Sequence, residues 1–175
     1  MRNAAIIIVL GLGTGASAGN LLGNAGFESG TIAPWVSSDW QVVSDTAHSG
    51  IYSAKVVGNY SIYQSFAPTS VGLITEVSVW LKQDPADISY LAIRYSDSTE
   101  DYELVHPTNT GYNKYDLTGV LNPSKTAVGF IAYGYSGGAN GPTWIDDVNV
   151  QAVPEPTSVG ALALGGFLLA RRRRS

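Results

Sequence analysis

Along most of this chain apolar and polar residues alternate at every second position, the period of a strand with one face buried and one face wet. The clearest run is Thr75-Glu76-Val77-Ser78-Val79-Trp80-Leu81-Lys82, which puts Val77, Val79 and Leu81 on one side and Trp80 on the other. Ile88 to Tyr95 repeats the pattern, with Leu91 and Ile93 directed to the core and Tyr90 and Arg94 sharing the opposite side. Thr126 to Tyr135 and Thr143 to Val150 are two more long runs, the latter carrying Trp144, Ile145, Val148 and Val150. Shorter segments with strand character are Trp40 to Val43, Tyr52 to Val57, Ser61 to Phe66, Asp101 to His106 and Tyr112 to Leu117. Gly, Pro, Asn and Asp clusters such as Val57-Gly58-Asn59, Gln83-Asp84-Pro85 and Asn122-Pro123 separate them. Roughly nine strands at about 8–12-residue spacing predict an all-β fold, a single antiparallel jelly-roll β-sandwich.

The two ends break the alternation. Arg2, the apolar stretch Ala4 to Leu12 and the small residues Ala16-Ser17-Ala18 have the order of a cleavable signal peptide over residues 1–18. Gly11-Leu12-Gly13-Thr14-Gly15-Ala16 matches a dinucleotide fingerprint in letters only, because it falls inside the segment to be removed. At the other end, Pro154 and Pro156 fix φ and remove donors, so the folded domain closes at or before Val153. The domain is therefore expected over residues 19–152. Beyond it come Val159 to Ala170, an uncharged segment expected as a short helix, and then Arg171, Arg172, Arg173 and Arg174. As a helix of twelve residues that segment rises about 18 Å, short of the roughly 30 Å of a bilayer core, and the arginines mark a cytoplasmic end.

The order Pro154-Glu155-Pro156, apolar segment, arginine cluster resembles the PEP-CTERM sorting tail, here residues 153–175. The resemblance implies export, transient retention in the inner membrane, and cleavage of the tail by an exosortase-type enzyme. The cell surface or extracellular space of a Gram-negative bacterium is the implied destination.

Charge sharpens the partner class. Of the chain's 10 Lys and Arg, five (Arg2 and Arg171 to Arg174) lie in the two ends, whereas of its 14 acids only Glu155 does. The domain therefore sets five cations against thirteen acids, which argues against nucleic acid as a partner and suits calcium or a polysaccharide. The absence of cysteine excludes a disulfide framework, thiolate metal sites and a cysteine nucleophile.

Asn20-Leu21-Leu22-Gly23-Asn24-Ala25-Gly26-Phe27-Glu28, then Trp35, His48-Ser49-Gly50 and Ile145-Asp146-Asp147-Val148 resemble the galactose-binding-like jelly roll used by many carbohydrate-binding modules. In such modules a calcium ion commonly ties the first strand, the His-Ser-Gly turn and the last strand together. Carried over, its ligands are the Glu28 carboxylate, backbone carbonyls near Gly50, and Asp146 or Asp147, hard oxygens of the kind calcium takes.

The domain's 10 Tyr and four Trp offer flat faces for sugar rings. Trp80, Tyr90 and Arg94 are the first candidates, with Gln64 and Tyr133 or Tyr135 joining from neighbouring strands. Catalysis has little to stand on. The chain has two histidines, and its carboxylates at Asp97, Glu100, Asp101 and Glu103 read as a solvated hairpin tip. The expected function is non-catalytic binding of extracellular polysaccharide. The alternative is a structural surface or biofilm-matrix protein that binds no glycan.

Overall fold

The computed structural model describes residues 18–134 and 141–154. The signal peptide, Tyr135, Glu155, Pro156, the apolar segment and Arg171 to Arg174 lie outside the described residues. Eleven strands are present among them: β1 Gly19–Asn20, β2 Val36–Ser37, β3 Gln41–Val43, β4 Ser53–Val57, β5 Tyr60–Ser70, β6 Ile74–Lys82, β7 Ser89–Tyr95, β8 Glu100–Val105, β9 Asn113–Asp116, β10 Thr126–Gly134 and β11 Pro142–Ala152. Two single 3-10 turns, Val71–Leu73 and Thr118–Val120, are the helical pieces among the described residues. No described helix is long and apolar enough to cross a membrane.

The strands form two antiparallel sheets. A six-stranded sheet runs β3-β4-β11-β6-β9 with β1 paired to β11, and a five-stranded sheet runs β2-β5-β10-β7-β8. The alternation read from sequence is what packs them. Val77, Val79 and Leu81 of β6, Leu91 and Ile93 of β7, Phe130 of β10 and Ile145 of β11 are all sealed between the sheets. One end of the core is closed by Trp35, whose ring lies 5.6 Å from Phe27 and edge-on to Phe130 at 6.2 Å. Its indole N–H donates to the Asn24 carbonyl at 3.2 Å, so the large ring is buried without an orphaned donor.

Strand β11 breaks period two at one place. Ile145 and Val148 are three apart, yet both are fully buried. The pairing with β6 moves from Asp146 opposite Trp80 to Asn149 opposite Ser78, three steps on one strand against two on the other. Asp147, at φ 45°, supplies the extra residue of this bulge.

Two sequence expectations need correction. Gln64, expected on an outer binding face, points inward beside Ile62, where its amide donates to the Gly23 carbonyl at 2.9 Å and accepts from the Gly23 N–H at 2.6 Å. It acts as a stand-in for a backbone pair and pins the entering chain. The carboxylates of Ser96 to Glu103 are not all a solvated tip either. The turn is confined to residues 96–99, and Glu100, Asp101 and Glu103 belong to β8.

Several surface carboxyls are held below their ordinary values: Asp45 by its bond to Lys55, Glu76 by its bond to Lys114, Asp116 by the Thr118 hydroxyl, and Asp97, down to about 2, by the Thr99 hydroxyl. A carboxyl depressed by folding stabilises the fold above its unfolded value and loses that contribution as pH falls through the folded one. The melting temperature should therefore decline gradually as pH drops from about 4.5 towards 2, and the part owed to the Asp45–Lys55 and Glu76–Lys114 pairs should shrink in high salt, because surface ion pairs are screened. Asp146, raised by burial, acts in the opposite sense and shallows the upper part of the curve.

Candidate functional site

The outer face of the five-stranded sheet carries a patch of tyrosines built by strand register. Ile131 of β10 lies between Tyr63 of β5 and Ala92 of β7, and Ala92 lies opposite Tyr102 of β8. Ala92 and Ile131 are 0% and 2% exposed although they point away from the inter-sheet core, because the tyrosines cover them. The next row across the same strands holds Tyr133, Tyr90 and Leu104. Tyr90 stacks on Tyr102 with centroids 4.8 Å apart and meets Tyr133 edge-on at 5.4 Å. Tyr102 and Leu104 remain 54% and 58% exposed, so a ligand on this face meets aromatic and aliphatic surface without rearrangement. A cavity of about 280 Å³ lined by Ile88, Ser89, Tyr90 and Leu104 continues the patch at one end.

The other end is polar. Glu100 accepts from Arg94 Nε at 2.9 Å and Nη2 at 2.6 Å through one carboxylate oxygen, and from the Tyr90 hydroxyl at 2.8 Å through the other. Burial, and next the bond to Glu100, push the Tyr90 phenol well above its ordinary value, so it stays a neutral donor. Arg94 also lies over the Tyr63 ring at 5.4 Å. Gly129 makes this possible: a Cβ there would stand 2.3 Å from the Tyr63 ring, so only glycine lets that ring lie against the sheet.

Trp80 is elsewhere. It sits on the six-stranded sheet, across the sandwich from Tyr90 and Arg94, and one face of its indole is covered by the His48 ring at 3.7 Å and 13°. The expected ligand residues therefore divide into three places: Tyr90, Arg94 and Tyr133 together on the tyrosine face, Trp80 on the opposite face, and Gln64 inside. Sequence reading passed over Tyr63, Tyr102 and Glu100.

The residues expected at a metal do come together, at the bulge of β11. Asp146, 0% exposed, accepts from the N–H of His48 at 2.8 Å and of Ser49 at 3.1 Å, while its other oxygen accepts from Asp147 N–H at 2.7 Å. Burial raises its pKa, against the pull of these bonds. Asp147 holds His48 Nδ1 at 2.6 Å and the Ser49 hydroxyl at 2.8 Å. Because Ser49 donates to the aspartate and not to the imidazole, the three are not arranged to activate a nucleophile. Glu28 accepts from Ile51 N–H and Tyr52 N–H, and Gly50, at φ +62°, leaves the space its carboxylate fills.

These residues fit calcium in part. A Cβ added at Gly26 would meet Asp147 Oδ1 at 3.2 Å and Asp146 Oδ1 at 3.6 Å, so two hard oxygens converge over a bare Cα. Both oxygens of Asp146 and of Glu28 already accept from backbone N–H groups, and no cluster of three or more metal-ligating side chains occurs among the described residues.

No protein-family model matches the chain, and no curated protein matches it in sequence. Solved structures match its fold. TmCBM61, in complex with β-1,4-galactotriose, is 20% identical with a TM-score of 0.57, over 77% of this chain and 99% of its own. The CBM22-1 xylan-binding domain of Paenibacillus barcinonensis Xyn10C is 18% identical with a TM-score of 0.55, over 79% and 97%. The enzymatically active domain of bacteriophage CBA120 tailspike protein 4 is 15% identical with a TM-score of 0.54, over 77% of this chain but 21% of the tailspike. The chain thus has the β-sandwich fold of carbohydrate-binding modules. Its occurrence inside the tailspike is a reminder that this fold alone does not fix function.

Proposed function

We propose that this chain is a non-catalytic carbohydrate-binding protein whose glycan lies across the tyrosine face. The observation that carries the reading is the row Tyr63, Ile131, Ala92, Tyr102 on one outer sheet face, an apolar floor between aromatic walls, with the Arg94–Glu100–Tyr90 cluster at its end. Rings stack on such walls, and charged and phenolic groups fix hydroxyls. The xylan-binding and galactotriose-bound neighbours support a polysaccharide as the ligand class. The sequence of the two ends supports export, transient membrane retention and exosortase-type processing of the tail at residues 153–175, and with it a ligand met outside the cell. Calcium, if resident, would be held by Asp146 and Asp147 and would stiffen the turn at residues 48–52.

Affinity electrophoresis of the chain in gels containing neutral galactan, xylan and glucan tests the reading. At least one polysaccharide should retard the protein. Tyr102→Ala should abolish the retardation, and Gly129→Ala should weaken it by displacing Tyr63 while leaving melting nearly unchanged. No retardation by any glycan would favour a structural matrix role instead.

A further inference from the structure

The domain's few cations are not spread evenly. Of its five, Lys55, Lys82 and Lys114 stand on the outer face of the six-stranded sheet, on β4, β6 and β9. Trp144 of β11 lies directly opposite Lys55 on one side and Lys82 on the other, and both ammonium groups approach its ring, at 4.8 Å and 4.9 Å from the centroid. Gln41 of β3 faces Lys55 and extends the row. Four strands in register span about 14 Å across the sheet. At the β3 end the row opens into a groove of about 410 Å³ lined by residues that include Asp39, Gln41, Lys55 and Tyr60.

The local chemistry separates these lysines. Asp45 bonds Lys55 Nζ at 2.7 Å and accepts from Trp144 Nε1 at 3.1 Å, which fixes the indole and one ammonium. Lys114 is paired with Glu76 at 2.8 Å. Lys82 reaches only the Thr46 hydroxyl, at 3.3 Å, and the indole, and among the described residues it forms no ion pair. An unneutralised ammonium held against an aromatic ring, in a domain of otherwise acidic character, is a local attractor for negative charge.

We propose that this face is a second glycan site, specific for a polysaccharide bearing carboxylates, a polyuronate, lying along Gln41, Lys55, Trp144 and Lys82. Compact ammonium groups set along a row match carboxylates repeated along a sugar chain. The groove's Gln41, Asp39 and Tyr60 offer hydrogen bonds and a ring to the intervening hydroxyl-rich parts. A denser polyanion such as nucleic acid is disfavoured by the domain's acidic remainder.

This site is separate from the tyrosine face, and the test keeps them apart. Retardation of the full chain is measured in gels of polygalacturonate and of neutral β-1,4-galactan, together with Lys82→Gln, the Lys55→Gln/Lys82→Gln double variant and Tyr102→Ala. Polygalacturonate should retard the wild type, less at 200 mM than at 50 mM salt. Lys82→Gln should weaken that binding about fivefold with melting unchanged, and the double variant about twentyfold or more, with galactan retardation unchanged in both. Tyr102→Ala should spare polygalacturonate binding. The proposal is overturned if polygalacturonate does not retard the protein, if the double variant binds it as the wild type does, or if single-stranded DNA is retained equally well. Loss of galactan binding alone would count only against the tyrosine face.

Discussion

Replacing Asp146 with alanine should lower the melting temperature by about 10 °C. Three backbone N–H groups, from His48, Ser49 and Asp147, end on its carboxylate, and that carboxylate is fully buried. Removing the acceptor leaves those donors without a partner at about 1–3 kcal/mol each, offset by release of a carboxylate that was itself costly to bury. A net loss of about 3 kcal/mol shifts the transition of a domain this size by about 10 °C. Thermal melting in calcium and in chelator separates the two roles of the residue. A ligand at a hundredfold excess over its Kd adds about 2.7 kcal/mol to the folded state. Calcium held at Asp146 should therefore raise the wild-type transition by several degrees and leave Asp146→Ala unmoved. A wild-type transition indifferent to chelator removes the metal and leaves the hydrogen-bonded turn, whereas an Asp146→Ala transition within 2 °C of wild type would remove both.

Trp35→Ala should cost about 3–5 kcal/mol, the range for deleting a buried aromatic. Its ring fills the space between Phe27 and Phe130. Trp80→Ala makes the contrast. Trp80 is only partly buried and lies beneath His48, so its loss should be much milder in denaturant titration. Equal losses from the two substitutions would contradict the packing described.

Period-two alternation made the long strands legible because burial on one face is a strong, local constraint. Each of the nine runs read from sequence is a strand, although β5 runs on to Ser70, past Pro68. The two-residue strands β1 and β2 left no such trace, since they exist through pairing with β11 and β5 and not through burial of their own side chains. Parity also contained the answer for Gln64. Two positions from buried Ile62, it had to point inward, and Tyr63 outward. Tyr102 hid because the acids around it make Ser96 to Glu103 resemble a loop, yet Glu100, Tyr102 and Leu104 alternate outward along β8. What no local pattern discloses is which sheet a strand joins. Strands β6 and β7 follow one another in sequence and lie in opposite sheets, and this is why Trp80 and Tyr90 never share a face.

The short pairing of Gly19 with Ala152 and of Asn20 with Gln151 places the beginning and the end of the folded body side by side. Entry and exit are therefore one location. A chain held from either terminus presents the same orientation, and a short linker from 152 to 19 would close the body into a ring without stretching any strand. Opening the circle at the 96–99 turn would leave order along the backbone separable from shape.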